Sequence, residues 1–485
     1  GYDKNTCAFV FSVSVTLTEA GLAAGGGLGC LDLVFAYLAL LRRAGPQRWV
    51  WDEMAAVNDM RWRFLEEDDP ADYVTTLAAN MLVVPTEHAI CSEYLHEEWD
   101  PELVQRVLAQ LTPDNARVEL QSSTFQGDTA LRENEPWFDI PYSAERIAPE
   151  VLSRWREYDA GGAEVPELTL PPRNEYIATD FSLRHPKRDT EGGEGDGLGP
   201  DGAKGAEPAA VLPAALREPP ELVLEEGPLR VWHKLDKHFA MPRANAFFAI
   251  GSGAVGSARD VAHAQLFLKL LDDALTEITY LADVASLHSS ANLEGFRIDL
   301  RLDGFSHKLG LLGRHIFERL ANFRADPTRF PPVRESLARG LRNALFHPGR
   351  HAAFGRLHCI KPRSWHVDAV LAELERTEMA DIEGFHRRLL PQLHFEVLCH
   401  GNLDKDEAVE LARAARVLFP GPGTAWNALP KERVVELKPG QAYLHRQRVR
   451  NPAETNSAIE NYYQLGPDGV QDRAALLLAE QILSE

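Results

Sequence analysis

The chain has 485 residues, 45% of them hydrophobic, and 72 Asp and Glu against 51 Lys and Arg give a formal net charge of −21. That length supplies more than one core, and the acidic balance argues against nucleic acid or an anionic membrane as partner, since both need clustered Lys and Arg. No apolar run approaches the roughly 18 residues that a membrane span requires, and the five Cys (Cys7, Cys30, Cys91, Cys359, Cys399) are odd in number and form no C-x-x-C, so they read as reduced thiols of an intracellular protein.

Phe9, Phe11, Val13, Val15 and Leu17 alternate with smaller or polar residues, the period of a strand with one buried face. Leu31, Val34, Phe35, Leu38 and Leu41 then keep the 3/4 spacing of an amphipathic helix. Helices are expected around 49–64 and 101–111, and a closing strand at 117–121. The stretch 184–228 is rich in Gly, Pro, Ala and acidic residues, too poor in apolar surface to offset its ordering entropy, and is expected to be a flexible tether.

Beyond it the same order returns. An opening at 231–236, a strand at 242–250 and a helix at 258–275 precede the alternating Phe296, Ile298, Leu300 and Leu302. Leu309, Leu312, Ile316, Leu320 and Phe323 repeat the helix, followed by helices at 330–346 and 367–374 and a strand at 394–398. Corresponding elements lie roughly 280 residues apart, which predicts a duplicated domain-sized unit. The segments 442–447, 456–464 (a strand) and 471–483 (a helix) look like a third opening. Gly1 falls where a unit should already be under way and no Met precedes it, so an internal piece of a longer protein is expected. The fold class expected is α+β: tandem two-layer units, each a mostly antiparallel sheet with helices on one face. The expected domains are 1–183, the linker 184–228, a further unit at 229–437 and the start of another at 438–485.

Several stretches invite chemical readings. Gly25-Gly26-Gly27-Leu28-Gly29 lacks the Gly-Lys-Ser/Thr ending of a phosphate loop and reads as a weakened first helical turn. Gly251-Ser-Gly-Ala-Val-Gly256 follows a strand and precedes a helix, the context of a dinucleotide fingerprint. Against that, Asp272 and Asp273, the expected acidic partners, fall inside the helical pattern, and 296–302 alternates like an antiparallel strand. A plain connector is the simpler reading. His347, His351 and His358 have metal-ligand spacing, and His394 and His400 share a strand face or its end, but no Cys or carboxylate completes a set. The aromatics of 137–142 and 232–239 suit either a peptide chamber or the seam between units. Glu97, Glu98 and the run 66–69 suit solvated faces or helix N-terminal charges.

Leu17-Thr-Glu-Ala-Gly-Leu22, 37–47, 111–118, Asn174-Glu-Tyr-Ile-Ala-Thr-Asp-Phe181, Gly304-Phe-Ser-His-Lys-Leu309, Leu393-His-Phe-Glu-Val-Leu-Cys-His-Gly-Asn402 and Ile459-Glu-Asn-Tyr-Tyr-Gln464 resemble the insulin-degrading enzyme and nardilysin branch of the pitrilysin (insulinase) zinc metallopeptidases. The resemblance implies four homologous α+β units whose two halves close around a peptide-cleaving chamber. It places zinc only in the first unit, on a His-x-x-Glu-His helix. That motif is absent here. The nearest approach is Glu87-His88, where Val84 stands in place of the first His and Pro85 would interrupt the helix.

The implied role is the non-catalytic middle portion of a zinc metalloendopeptidase, holding most of the second unit, the third and the start of the fourth. No catalytic, metal-binding or cofactor-binding residue is assigned on this chain, and zinc belongs to the parent enzyme's missing N-terminal unit. The implied partners are peptide substrates and that unit, with homodimerisation an open option; the implied compartment is the cytoplasm, with peroxisome or mitochondrion as alternatives. Two other readings stay in view: a nucleotide-binding module through Gly251–Gly256, and a stand-alone inactive paralogue acting as a scaffold.

Overall fold

The computed structural model of the chain describes residues 2–4, 9–125, 133–162, 165–185, 218–419, 421–438, 440–466 and 469–484. Most of the expected tether, 186–217, lies outside the described residues. The chain divides into two units, Gly1–Ile177 and Ala178–Glu485.

In the first unit, strands β1 (Tyr2–Lys4) and β2 (Phe9–Phe11) form one antiparallel ribbon. Strands β3 (Glu133–Glu135) and β4 (Ile140–Tyr142) form another. The remaining regular structure is helical, chiefly Gly29–Ala44, Arg48–Arg63, Pro70–Asn80, Pro101–Leu108 and Pro149–Asp159. Its anchor is Trp155, fully buried and stacked on Phe35 with ring centroids 4.7 Å apart. The indole Nε1–H donates to Asp32 Oδ1 at 2.7 Å, and Arg154 Nε donates to the same oxygen at 3.0 Å. A buried Trp needs such a partner for its one polar hydrogen.

Two strand expectations in this unit are corrected. The strand at 9–17 ends at Phe11, with Val13 and Val15 half exposed, and no strand forms at 117–121. Alternation alone does not make a sheet: each strand needs a neighbour to bond its backbone, and none stands beside these stretches among the described residues. The Gly25–Gly29 stretch is also different from the expectation. Gly25 and Gly26 adopt left-handed φ of 59° and 65°, so the chain breaks there, and helices Glu19–Gly27 and Gly29–Ala44 meet at a 74° bend. No single helix among the described residues is long and apolar enough to cross a membrane.

The second unit is built on one six-stranded sheet in the order β5-β6-β10-β7-β9-β8. Its strands are β5 (Glu221–Glu226), β6 (Leu229–Leu235), β7 (Arg243–Gly251), β8 (Leu287–Glu294), β9 (Arg297–Phe305) and β10 (His394–Gly401). Every pairing is antiparallel except β6 with β10, which matches the mostly antiparallel α+β architecture expected. Ile298, Leu300 and Leu302 are buried on one face, as their alternation predicts, and Phe248, Ile250, Phe395 and Val397 join them from neighbouring strands. Against that face lie helices Ala258–Val284, Ser306–Ala321 and Lys405–Val417.

Leu309, Leu312, Ile316 and Leu320 of Ser306–Ala321 are all buried, each worth roughly 1.5–3 kcal/mol in transfer free energy. The packing is aromatic at its centre. Phe317 meets Phe248 at 4.9 Å and Phe395 and Phe419 at 6.3 Å each. Helices Phe330–Asn343, Val367–Arg376 and Met379–Leu389 pack around or beside Ala258–Val284.

Two boundaries differ from the sequence reading. Strand β5 falls inside the stretch expected as tether, because Leu222, Val223 and Leu224 are half-buried beside β6. Residues 178–183, expected at the end of the first unit, lie with the second: Phe181 packs edge-on to Phe305 at 5.6 Å, and the backbone N–H groups of Thr179 and Asp180 donate to His307 Nδ1 at 3.1 and 3.2 Å. The strand expected at 456–464 does not form, whereas helix Val470–Ser484 covers the predicted 471–483.

Candidate functional site

The glycine loop is a capped connector. Strand β7 runs antiparallel between β10 and β9, not in the parallel βαβ setting that a dinucleotide fingerprint needs. At the start of helix Ala258–Val284, Asp260 Oδ2 accepts from Gly256 N at 3.2 Å and from Ser257 Oγ–H at 2.7 Å, and Ser257 Oγ accepts from Asp260 N at 3.2 Å. The helix's own carboxylate thus occupies the place of an anion. Asp273, one of the two acidic residues weighed for a ribose, lies in that helix and is ion-paired to Arg329, the N-cap residue of helix Phe330–Asn343.

The histidines are partly gathered. His351, His358, His366 and His445 line a cavity of about 250 Å³ with Phe354 and Trp365, while His347 stands outside it as the N-cap of helix Pro348–Ile360. Ser364 Oγ–H donates to the Lys361 carbonyl at 3.3 Å, so at 3.0 Å it accepts from His358 Nδ1–H and leaves Nε2 as the acceptor. His366 Nδ1 instead faces Asp368, 3.2 Å from its backbone N–H and 3.3 Å from its Oδ2, capping helix Val367–Arg376. The two rings meet edge to face at 5.8 Å. His351 is held below the usual imidazole range by burial, by Arg450 and by His366.

Cys359 lines the same cavity, but among the described residues no hydrogen bond joins its thiol to an imidazole, so there is no nucleophile–base pair. Among the described residues no three His, Cys, Asp or Glu side chains are grouped to hold a metal ion. The donor set does not fit a zinc centre.

His394 and His400 do share one face of β10, the face away from the helices. Buried His394 gives Nδ1–H to the Thr424 carbonyl at 3.1 Å and lies against Trp426 at 5.6 Å. Beside it Arg230 pairs with Glu396 at 3.1 Å and sits over Trp232 and Trp426 at 5.4 and 5.5 Å. These contacts fasten the segment around Trp426 to the sheet. Sequence reasoning missed this network because it joins residues up to 196 positions apart (426 − 230).

Glu87 and His88 lie in a short 3-10 turn, Thr86–His88, entered from Pro85 after helix Pro70–Asn80 has ended. Trp137 and Phe138 stand out at the tip of the β3–β4 hairpin, 87% and 81% exposed. Trp232 is half-buried and bonded to Glu396, while Phe239 is exposed. Asp69 caps helix Pro70–Asn80, in keeping with an N-terminal charge.

Residues 62–373 match the family described as "Middle or third domain of peptidase_M16", and 378–485 match "Peptidase M16 inactive domain". The chain belongs to the M16 peptidase family. Among curated M16 relatives it is 31% identical to "Nardilysin-like" of Arabidopsis thaliana, over 100% of this chain and 45% of that protein. It is 29% identical to "Insulin-degrading enzyme" of Homo sapiens, over 98% of this chain and 44% of that one. The chain therefore spans less than half the length of these relatives. A crystal structure of pitrilysin superposes with a TM-score of 0.62 at 23% identity, over 83% of this chain and 40% of that one, and shares the fold.

Proposed function

We propose that this chain is the non-catalytic middle of an M16 zinc metalloendopeptidase, supplying chamber wall and substrate-selecting surface while a separate N-terminal unit holds the zinc. The observation that carries the reading is the order of the family matches, a middle domain followed by an inactive domain, within relatives more than twice as long. We assign 1–177 to an inactive second unit, 178–183 together with 221–437 to a third, and 438–485 to the opening of a fourth.

Exposed apolar side chains support this. Val13 in the first unit, and Ile459, Tyr463, Leu478 and Leu483 in the second, are more than half exposed, with Val15 close to half, and such surface marks a place that another surface covers. On this reading the substrate is a peptide held in orientation against the catalytic unit, and the parent enzyme acts in the cytoplasm.

The test is reconstitution. Alone, the chain is expected to leave a quenched fluorescent peptide uncut. Co-expressed with an N-terminal segment carrying His-x-x-Glu-His and with the rest of the fourth unit, it should yield an endopeptidase that a chelator silences. Chelator-sensitive cleavage by the chain alone, or a complete assembly that cuts nothing, would overturn the reading.

A further inference from the structure

We propose that strand β8, with Tyr280 and Val284 of the helix beside it, is a docking edge for an extended, basic peptide segment that pairs with it backbone to backbone. The two edges of the six-stranded sheet are treated very differently by the sequence. At β5 the register shifts between Leu222 and Leu224, and Glu221 and Glu226 are tied to Lys405 and Arg413 at 2.7 and 2.6 Å. A bulge and flanking charged pairs are the means by which sheet edges are protected from pairing.

Strand β8 lacks the bulge, and its flanking pair is a single one, His288 Nδ1 with Asp283 Oδ1 at 2.9 Å. Its register with β9 is unbroken over eight pairs, from Leu287 opposite Gly304 to Glu294 opposite Arg297. It contains no Pro, Lys or Arg, and its middle reads Ser289, Ser290, Ala291, Asn292. Among the described residues its backbone is bonded to nothing beyond β9. A strand of that length leaves alternate N–H and C=O groups facing outward, a template that an incoming strand completes.

The side chains specify the occupant. Leu287, Ser289, Ala291 and Leu293 lie opposite Gly304, Leu302, Leu300 and Ile298, so this row continues the helix-covered face. The small Ser289 and Ala291 leave room at its margin. The C-terminal turns of helix Ala258–Val284 pack against β8, and they carry Tyr280 and Val284, 66% and 37% exposed and one turn apart. An added strand would therefore turn alternate side chains toward an apolar flank. The other row, His288, Ser290, Asn292 and Glu294, is polar.

Charge points the same way. The stretch 276–294 holds three carboxylates, Glu277, Asp283 and Glu294, and no Lys or Arg; Asp283 is bonded to His288, and the Arg residues of β9 opposite β8 are paired within their own strand, Arg297 to Asp299 and Arg301 to Asp303. The occupant that fits is an extended segment with apolar residues at every second position and Lys or Arg between them. The source of that segment, a peptide substrate, rests on the peptidase reading; the pairing edge itself does not.

The test uses the full chain and a fluorescent peptide of roughly nine residues alternating Val and Arg, about one long strand. Its control is the same peptide N-methylated at alternate residues, which removes main-chain donors and leaves the charge intact. Binding should weaken at least about tenfold on N-methylation and equally in Ala291→Lys, whose unpaired positive charge at the edge opposes the peptide's Arg side chains. Bound peptide should also slow hydrogen exchange at 288–294. Ser290→Pro gives the same loss; if it lowers the melting temperature, the exposed Ala291→Lys decides alone.

No binding, or binding indifferent to both N-methylation and Ala291→Lys, overturns the inference. Cleavage by the reconstituted enzyme is read separately. Cutting without pairing at β8 sinks this inference alone, and pairing without cutting sinks the peptidase reading alone.

Discussion

The side-chain oxygen of Asn402 accepts the backbone N–H of Arg184 at 2.7 Å, across 218 residues of chain. The same amide gives its hydrogens to the Ser182 carbonyl at 2.9 Å and to Ser306 Oγ at 3.0 Å, so one buried side chain joins the entering segment, the end of β10 and the start of a core helix. Its position depends on Gly401, whose φ of 119° and close approach to the Arg243 carbonyl, 2.5 Å from where a Cβ would sit, leave no room for a side chain. Asn402→Ala should cost about 2–3 kcal/mol by orphaning these groups. A urea unfolding curve of the second unit checks it; an unchanged midpoint would mean that Asn402 pins nothing.

Phe317 is the hinge of the aromatic core, touching rings from β7, β10 and the turn after helix Lys405–Val417. Phe317→Ala is expected to cost about 3–5 kcal/mol, and Phe317→Leu, which keeps most of the volume, clearly less. Thermal melts of the two variants should rank in that order.

His263, His386, His394 and His400 are each held below the usual imidazole range, in every case chiefly by burial, which penalises the charged ring. The unfolded chain therefore takes up protons first as pH falls. Stability should be fully present above the unfolded imidazole value of about 6.5 and be lost progressively below it. Unfolding midpoints at pH 8, 7, 6 and 5 will test the sign. His386, whose Nε2–H donates to the Leu320 carbonyl at 2.8 Å, gives the sharpest single variant: His386→Gln keeps a donor and should flatten the acid limb.

In the first unit, Asp32→Ala removes the acceptor of the Trp155 indole and of Arg154 together. A loss of about 1–3 kcal/mol is expected, with Asp32→Asn, which keeps an acceptor oxygen, losing less. Unfolding followed by fluorescence, which registers exposure of buried Trp155, reports both; equal losses would mean that charge, not the bond to the indole, is what matters.

How legible all this was in the sequence depended on where each residue's partners lie. Ile298, Leu300 and Leu302 alternate because both neighbours of β9 lie within the same unit, and the strand formed as expected. Strand β8 escaped notice because Ser289, Ser290 and Asn292 carry no apolar alternation, as befits an edge. Helix Met379–Leu389 is not among the elements expected from the sequence, although Ile382, Phe385 and Leu389 are buried along it at helical spacing, with His386 beside them. Val13 and Val15 misled in the opposite sense, since their alternation lacks a paired neighbour among the described residues. Of the candidate site, spacing identified His351 and His358, but His366 and His445 enter the cavity from a separate helix start and from a segment close to 80 residues further on (445 − 366), which only the folded chain reveals.

The place of β10 has a consequence for biosynthesis. Strands β6 and β7 never touch; β10 lies between them, parallel to one and antiparallel to the other. Until residue 401 has left the ribosome, the β5–β6 hairpin and the β7–β9–β8 meander are two half-sheets, each with an inner edge that has no partner. The strand of this sheet that comes last in sequence is thus the keystone, and the long sequence separations it closes make its docking the slow step. For the time it takes to translate the roughly 90 residues between β9 and β10, this unit presents open strand edges to the cell, the state in which nascent chains aggregate or recruit chaperones.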